Sequence, residues 1–285
     1  MRFALASLAV ACLLAATSGV GFAAQAIPQA DDFESYALGA IFTTVAAAPE
    51  PKSDVWADSA TFEAGLRYSI VETAQLDGNP NNQVAHIVDA NTALNKNTHL
   101  RTNFWDVSGK SSGVYDVWMD IEPLQTNGPF KVTLTNGPGW TSGFNWVAAV
   151  AFGSDAGNTF FPGMTTGAKL GLQTTTTAWV DTSTAYLANT WYTVRFGVDV
   201  DNRLYQVFFG LHGGPLNEVT NGWTNRITGA TTPPTTFGGT YVATSNKTGE
   251  GAELLFDSVE VTPEPASPAA LVGLPGLVPV LRRRK

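Results

Sequence analysis

Residues 191–211 read WYTVRFGVDVDNRLYQVFFGL, and their alternation decides the fold class. Tyr192, Val194, Phe196, Val198 and Val200 alternate with Trp191, Thr193, Arg195, Gly197 and Asp199. In an extended chain that period of two divides the side chains into one apolar face and one mixed face. After Asp201-Asn202-Arg203 the pattern resumes with Tyr205, Val207, Phe209 and Leu211. A connection of that length suits a tight antiparallel hairpin.

Working outward, the same period recurs. In residues 114–122, Tyr115, Val117, Met119 and Ile121 fall on one face, and Asp116, Trp118, Asp120 and Glu122 on the other. Phe130, Val132 and Leu134 alternate with Lys131, Thr133 and Thr135, which predicts another strand with one wet face. Residues 31–39 read as a first strand entering a turn, and 254–261 as the last strand. The Thr-rich stretch 174–184 suits a solvated sheet face. Short runs of β-branched and aromatic residues separated by Gly, Asn, Asp and Pro clusters fill the rest, and helical periodicity is nearly absent. Ten to fourteen strands with no internal shift in composition predict one all-β domain, an antiparallel two-sheet sandwich of the jelly-roll kind.

The two ends read differently. Met1-Arg2, an apolar run over 3–16 and small residues after it form a signal-peptide pattern, with cleavage expected after Ala23 or Ala26. About 14 apolar residues fall short of the ~20 that span a bilayer. Cys12, the only cysteine, lies inside this run, so the exported part is expected to hold no disulfide. At the other end Pro263-Glu264-Pro265 leads into an apolar stretch, 266–281, that stops at Arg282-Arg283-Arg284-Lys285. The expected division is therefore a signal peptide over 1–26, a β-sandwich over 27–262 and a sorting or anchor segment over 263–285. Removing both ends takes away five positive charges and one negative, deepening the net charge from −8 to −12. Such a surface repels phosphate backbones and argues against nucleic acid as a partner.

The order of motif, apolar span and basic stop in 263–285 resembles the PEP-CTERM sorting signal of exosortase substrates. The resemblance implies an exosortase-like membrane transpeptidase as partner, cutting near Pro263-Glu264-Pro265. It also implies transient membrane contact through the tail, the basic stop on the cytoplasmic side, and delivery to the cell surface or extracellular matrix. Two departures stand out. As a helix the 16 residues of 266–281 reach about 24 Å against a hydrocarbon core of ~30 Å, and Pro268, Pro275 and Pro279 interrupt them. A second Pro-Glu-Pro, at Pro49-Glu50-Pro51, is followed by no apolar run and serves as an internal control.

Asp32-Phe33-Glu34, Trp191-Tyr192-Thr193-Val194 and Leu255-Phe256-Asp257-Ser258-Val259 resemble concanavalin A-like lectin and glucanase domains. That resemblance implies first and last strands side by side. It also implies a structural calcium ion at Glu34 and Asp257, joined by Asp32; the plainer alternative is an acidic, solvated sheet edge. The glucanases of this fold carry three carboxylates as E-x-D-x-E on one strand face. Here the matching stretch is Trp118-Met119-Asp120-Ile121-Glu122, with tryptophan where the nucleophile belongs, so the chain is expected not to be an enzyme. Gln83-Val84-Ala85-His86 has one residue too many for the Gln-x-His of alginate-lyase-like jelly rolls. Among His86, His99 and His212 no two have metal-ligand spacing.

Sugar rings stack their C–H faces on aromatic side chains while amides and carboxylates take the hydroxyls. Trp118 with Asp116 and Asp120 on one predicted face fits that chemistry, as do Trp140 and Trp146 flanking the Gly/Asn-rich loop 137–145. For each tryptophan the competing role is core. The expected function is a non-catalytic carbohydrate-binding module for an extracellular polysaccharide. The alternatives are a structural matrix protein without a specific ligand, and a polysaccharide hydrolase or lyase.

Overall fold

The computed structural model describes residues 29–34, 36–39, 56–58, 67–90, 98–103, 113–126, 128–135, 146–153, 161–165, 167–174, 178–222, 224–225, 239–244 and 252–263. In chain order the strands among them are β1 (Gln29–Asp31), β2 (Trp56–Asp58), β3 (Arg67–Leu76), β4 (Asn79–Asp89), β5 (His99–Asn103), β6 (Val114–Pro123), β7 (Phe130–Thr135) and β8 (Trp146–Phe152). There follow β9 (Lys169–Gln173), β10 (Trp179–Ala185), β11 (Tyr192–Asp199), β12 (Leu204–Leu211), β13 (Asn217–Glu218), β14 (Thr224–Asn225), β15 (Gly239–Thr244) and β16 (Ala252–Pro263). The described residues contain no helix, and so none long and apolar enough to cross a membrane.

Two antiparallel sheets result. One runs β13-β12-β11-β6-β16-β4-β3, with β1 paired to β16 and β14 to β12; the other runs β10-β9-β8-β7-β15-β5-β2. The first and last strands lie side by side, as expected, in the register Gln29↔Val261 to Asp31↔Val259. β1 is shorter than the predicted first strand: the chain leaves the sheet at Asp32, and Phe33 adopts φ 59° in the turn. β1 and β4 both pair with β16, β4 along Ala252 to Phe256 and β1 along Val259 to Val261, so Asp257 and Ser258 sit in the gap between them.

The hairpin that opened the sequence reading forms as β11 and β12, in register from Tyr192↔Leu211 to Asp199↔Leu204. Its turn is held by Asp199, whose carboxylate accepts the Asn202 backbone N–H at 2.9 Å and side-chain Nδ2 at 2.7 Å. This local bonding is what favours Asp and Asn in turns.

The inner faces meet in one apolar core that includes Val117, Met119, Ile121, Phe130, Val132, Leu134, Val194, Phe196 and Phe256. Phe152 and Phe209, from opposite sheets, pack edge to face at 5.9 Å. Two hydrogen bonds also cross the sandwich: Tyr205 to the Gln173 carbonyl at 3.2 Å, and Thr244 to the Asp89 carboxylate at 2.6 Å.

The outer face of the seven-stranded sheet differs from expectation. Lys131, Thr133 and Thr135, predicted to face water, are buried. Part of this face carries a second apolar cluster of Ala149, Ala151, Phe161, Met164 and Trp179. Residues 161–165 fold across it so closely that a Cβ on Gly171 would stand 2.3 Å from Met164 Sδ. Burial pushes the Lys131 ammonium down to about 7, and its Nζ lies 5.8 Å from the Tyr241 ring centroid.

Candidate functional site

The outer face of the nine-stranded sheet carries the site, and strand register builds it. Paired residues of neighbouring strands share a face, so each pairing extends a row across the sheet. One row runs Phe208, Arg195, Trp118, Glu260 over β12, β11, β6 and β16; the next runs Gly210, Thr193, Asp120, Asp257. All of these except Asp257 and Glu260 come from the mixed faces of plain alternating strands.

A bulge in β16 brings in the rest. Asp257 pairs with Asp120 and Glu260 with Trp118, so three steps on β16 oppose two on β6. Ser258 is the added residue and adopts φ 51°. Without it, a chain with Leu254 and Phe256 inward would send Ser258 and Glu260 into the core. With it, Val259 and Val261 are buried, and Ser258 and Glu260 line the outer surface.

The wall comes from the segment after β12. Leu211 accepts the Gly214 N–H at 2.9 Å, Gly213 adopts φ 69°, and the chain turns back over the sheet. It passes so close to Gly210 that a Cβ there would lie 2.3 Å from the Pro215 carbonyl oxygen. Trp118, Asp120, Thr193, Gly213, Gly214, Leu216, Ser258 and Glu260 together enclose an open hollow of about 400 Å³.

Electrostatics set its shape. Arg195 donates to Asp116 through two nitrogens, at 2.8 and 2.9 Å, and its guanidinium lies 5.2 Å from the Trp118 ring and 4.7 Å from Phe208. That stack holds the indole by cation–π attraction. Burial raises the Asp116 carboxyl above its usual range, although Arg195 offsets part of the effect. Thr193 donates its hydroxyl to Asp120 Oδ1 at 2.5 Å, and the same oxygen stands 2.9 Å from His212 Nδ1. His212 Nε2 meets Asp77 at 2.9 Å. Burial alone would lower the His212 pKa, but the hydrogen bonds and charges of Asp120 and Asp77 outweigh it and raise it. Asp257, only 1% exposed, is raised to about 7 by burial, against the Asn82 and Ser258 hydrogen bonds that lower it and with the nearby charges of Asp120 and Asp32.

The anticipated residues divide accordingly. Trp118 and Asp120 line the hollow, while Asp116 shares their face but is taken by Arg195 and does not line it. Trp146 opens β8 in the other sheet, and Trp140 with its whole loop, 137–145, lies outside the described residues. Glu34 and Asp257 are held by different partners. Glu34 Oε1 accepts the Gln83 N–H at 2.8 Å, whereas Asp257 Oδ2 accepts Asn82 Nδ2 at 2.8 Å and Oδ1 the Ser258 N–H at 2.7 Å. Asp32 accepts the Glu34 N–H at 3.2 Å. Among the described residues no three His, Cys, Asp or Glu side chains gather closely enough to hold a metal ion. Glu34, Asp32 and Asp257, each held by a separate protein donor, thus do not form the oxygen cage expected for the calcium ion that the fold resemblance implies. Pro263 ends β16 opposite Tyr115, while Glu264, Pro265 and Arg282 to Lys285 lie outside the described residues.

Sequence alone did not place Arg195, Thr193, His212, Leu216, Ser258 or Glu260 in a binding site. Their alternation is visible; their register is not. The signal closest to hand was Gly213-Gly214-Pro215, which marks a sharp reversal after a strand.

The sequence matches no described protein family and no curated protein. Solved structures do resemble it. Lectin II from Ulex europaeus superposes with a TM-score of 0.52 at 9% identity, covering 84% of this chain and 99% of the lectin. A carbohydrate esterase from the Shiga toxin-encoding bacteriophage phi24B gives 0.47 at 13% identity, with 80% and 99% covered. The legume lectin-like domain from Entamoeba histolytica gives 0.46 at 9% identity, with 79% and 97% covered. The shared feature is the fold: a legume-lectin-like, concanavalin A-like jelly roll.

Proposed function

We propose that this chain is a non-catalytic carbohydrate-binding module whose site is the hollow around Trp118. The observation that carries the proposal is the composition of that hollow: one indole fixed by an arginine, an apolar wall at Leu216, and carboxylates and hydroxyls at Asp120, Glu260, Thr193 and Ser258. An apolar ring beside a few aimed polar groups is what a pyranose needs, since its C–H face stacks and its rim of hydroxyls hydrogen-bonds.

Thr193, His212 and Asp120 lie in mutual contact, which is the one arrangement that invites a hydrolytic alternative. The hydrogen bonding argues against it. Thr193 donates to Asp120 rather than to the imidazole, and carboxylates engage both ring nitrogens of His212. A histidine favoured in its protonated form does not serve as the base that a hydroxyl nucleophile requires.

The protein is further proposed to be exported, sorted at 263–285 by an exosortase-like transpeptidase and displayed at the cell surface or in the matrix. What supports this is the order of the Pro-Glu-Pro motif, apolar span and basic stop in the sequence.

Titration calorimetry against a panel of polysaccharides tests the site. The wild type is expected to bind at least one member, and Trp118→Ala to weaken that binding by about tenfold or more, given the contribution of an aromatic platform. If the wild type binds no polysaccharide, a structural matrix role replaces the proposal. Release of reducing ends or unsaturated products would reinstate an enzyme.

A further inference from the structure

The hollow holds a carboxylate that no cation among the described residues neutralises. Glu260 pairs directly with Trp118 across β16 and β6, is half-buried at the rim, and has no hydrogen-bond or ion-pair partner among the described residues. The neighbouring cations are already engaged. Arg195 is taken by Asp116 and lies between two rings, and His212 is taken by Asp77 and Asp120. An unpaired carboxylate next to an indole recognises an ammonium group twice over, by charge and by attraction to the face of the ring. The net charge of the chain, −8, acts in the same sense: it attracts a cationic polymer and repels uronate or sulfate sugars.

Resting on the carbohydrate-binding proposal above, we infer that the preferred ligand is a glycan with free amino groups, a glucosamine-type polymer rather than its N-acetylated form. The pyranose C–H face lies on Trp118, the protonated amine pairs with Glu260, and hydroxyls face Asp120 and Ser258. Acetylation removes the charge and adds bulk where the carboxylate stands.

The full chain titrated at pH 6 with a β-1,4-glucosamine hexamer, with the matching N-acetylglucosamine hexamer, and with a lysine hexapeptide tests this. The glucosamine hexamer is expected to bind about tenfold more tightly than the acetylated one, in line with a cation–π contact reinforced by a carboxylate. Its affinity is expected to fall with added salt, and Glu260→Gln to bring the ratio of the two affinities close to one. Equal or tighter binding of the acetylated hexamer overturns the inference and leaves a neutral-glycan site standing. A ratio unchanged in Glu260→Gln assigns the preference to another residue and overturns it too. Binding of the lysine peptide as tight as that of the glucosamine hexamer shows charge alone at work and removes the sugar from the inference. No binding of either saccharide hexamer, or of any polysaccharide in the wider panel, removes both this inference and the function it rests on.

Discussion

Asp257 shows how one buried carboxyl reports on the site around it. Its folded-state pKa is about 7 against an ordinary 3.8, because burial and the nearby Asp120 and Asp32 disfavour the charge. Between those values the folded chain keeps a proton that the unfolded chain has released. Stability therefore falls as pH rises from about 4 to about 7, and the cost is fully present above that window. His212 tilts the same way. Its raised pKa contributes stability that is complete below its usual 6.5 and is lost as pH rises through the folded value. The variant Asp257→Asn separates the two, since Asn82 can turn its amide over to meet the new side chain. Thermal unfolding from pH 4 to pH 8 is expected to show a flatter profile in the variant and a higher Tm at pH 8, where the stability gained is on the order of a few kcal/mol. Parallel profiles would mean that Asp257 ionises normally. The polar character of residues 114–122 was legible at this scale, down to Trp118 flanked by Asp116 and Asp120 on one face. The pairing of Arg195 with Asp116 was not, because 79 residues of chain separate the two.

Among elements, the segment after β12 decides whether the hollow exists. It lies over Gly210 with no room for a side chain, the prospective Cβ falling 2.3 Å from a backbone oxygen that cannot rotate away. Gly210→Ala is expected to push residues 213–216 outward and to weaken glycan binding by about tenfold, with global stability reduced by only about 1–2 kcal/mol because the strained contact is local. Calorimetry paired with chemical denaturation checks both halves. A variant that binds like the wild type would show that the wall is dispensable. The bulge in β16 belongs to this scale as well. Leu254, Phe256, Val259 and Val261 do not share one strict alternation, and the break in phase at Ser258 marks in the sequence where an extra residue is accommodated. Read as a plain strand, the same stretch hides Ser258 and Glu260 from the surface that they line.

For the whole molecule, the proposed export and sorting are tested at the tail. Changing Pro263-Glu264-Pro265 to alanines is expected to leave a longer, membrane-retained product in the native host, and changing Pro49-Glu50-Pro51 is not. Intact mass of surface-extracted protein reads the result directly. If both variants behave alike, the sorting proposal fails. The two sheets share a single apolar core, β16 is an interior strand of one of them, and Pro263 stands at its very end. Cleavage beyond Pro263 would then leave the sandwich intact.

Alternation in the chain determined the all-β class, the hairpin of β11 and β12, and which side of β6 faces away from the core, because a period of two is a property of a single strand and needs no partner. Tertiary structure alone decided the rest. Sheet order set Trp118 beside Glu260, the β16 bulge turned Ser258 outward, and Lys131 is buried on the outer face of the seven-stranded sheet. Each of these depends on which distant strand or loop lies alongside, and a local pattern carries no information about the identity of its neighbour.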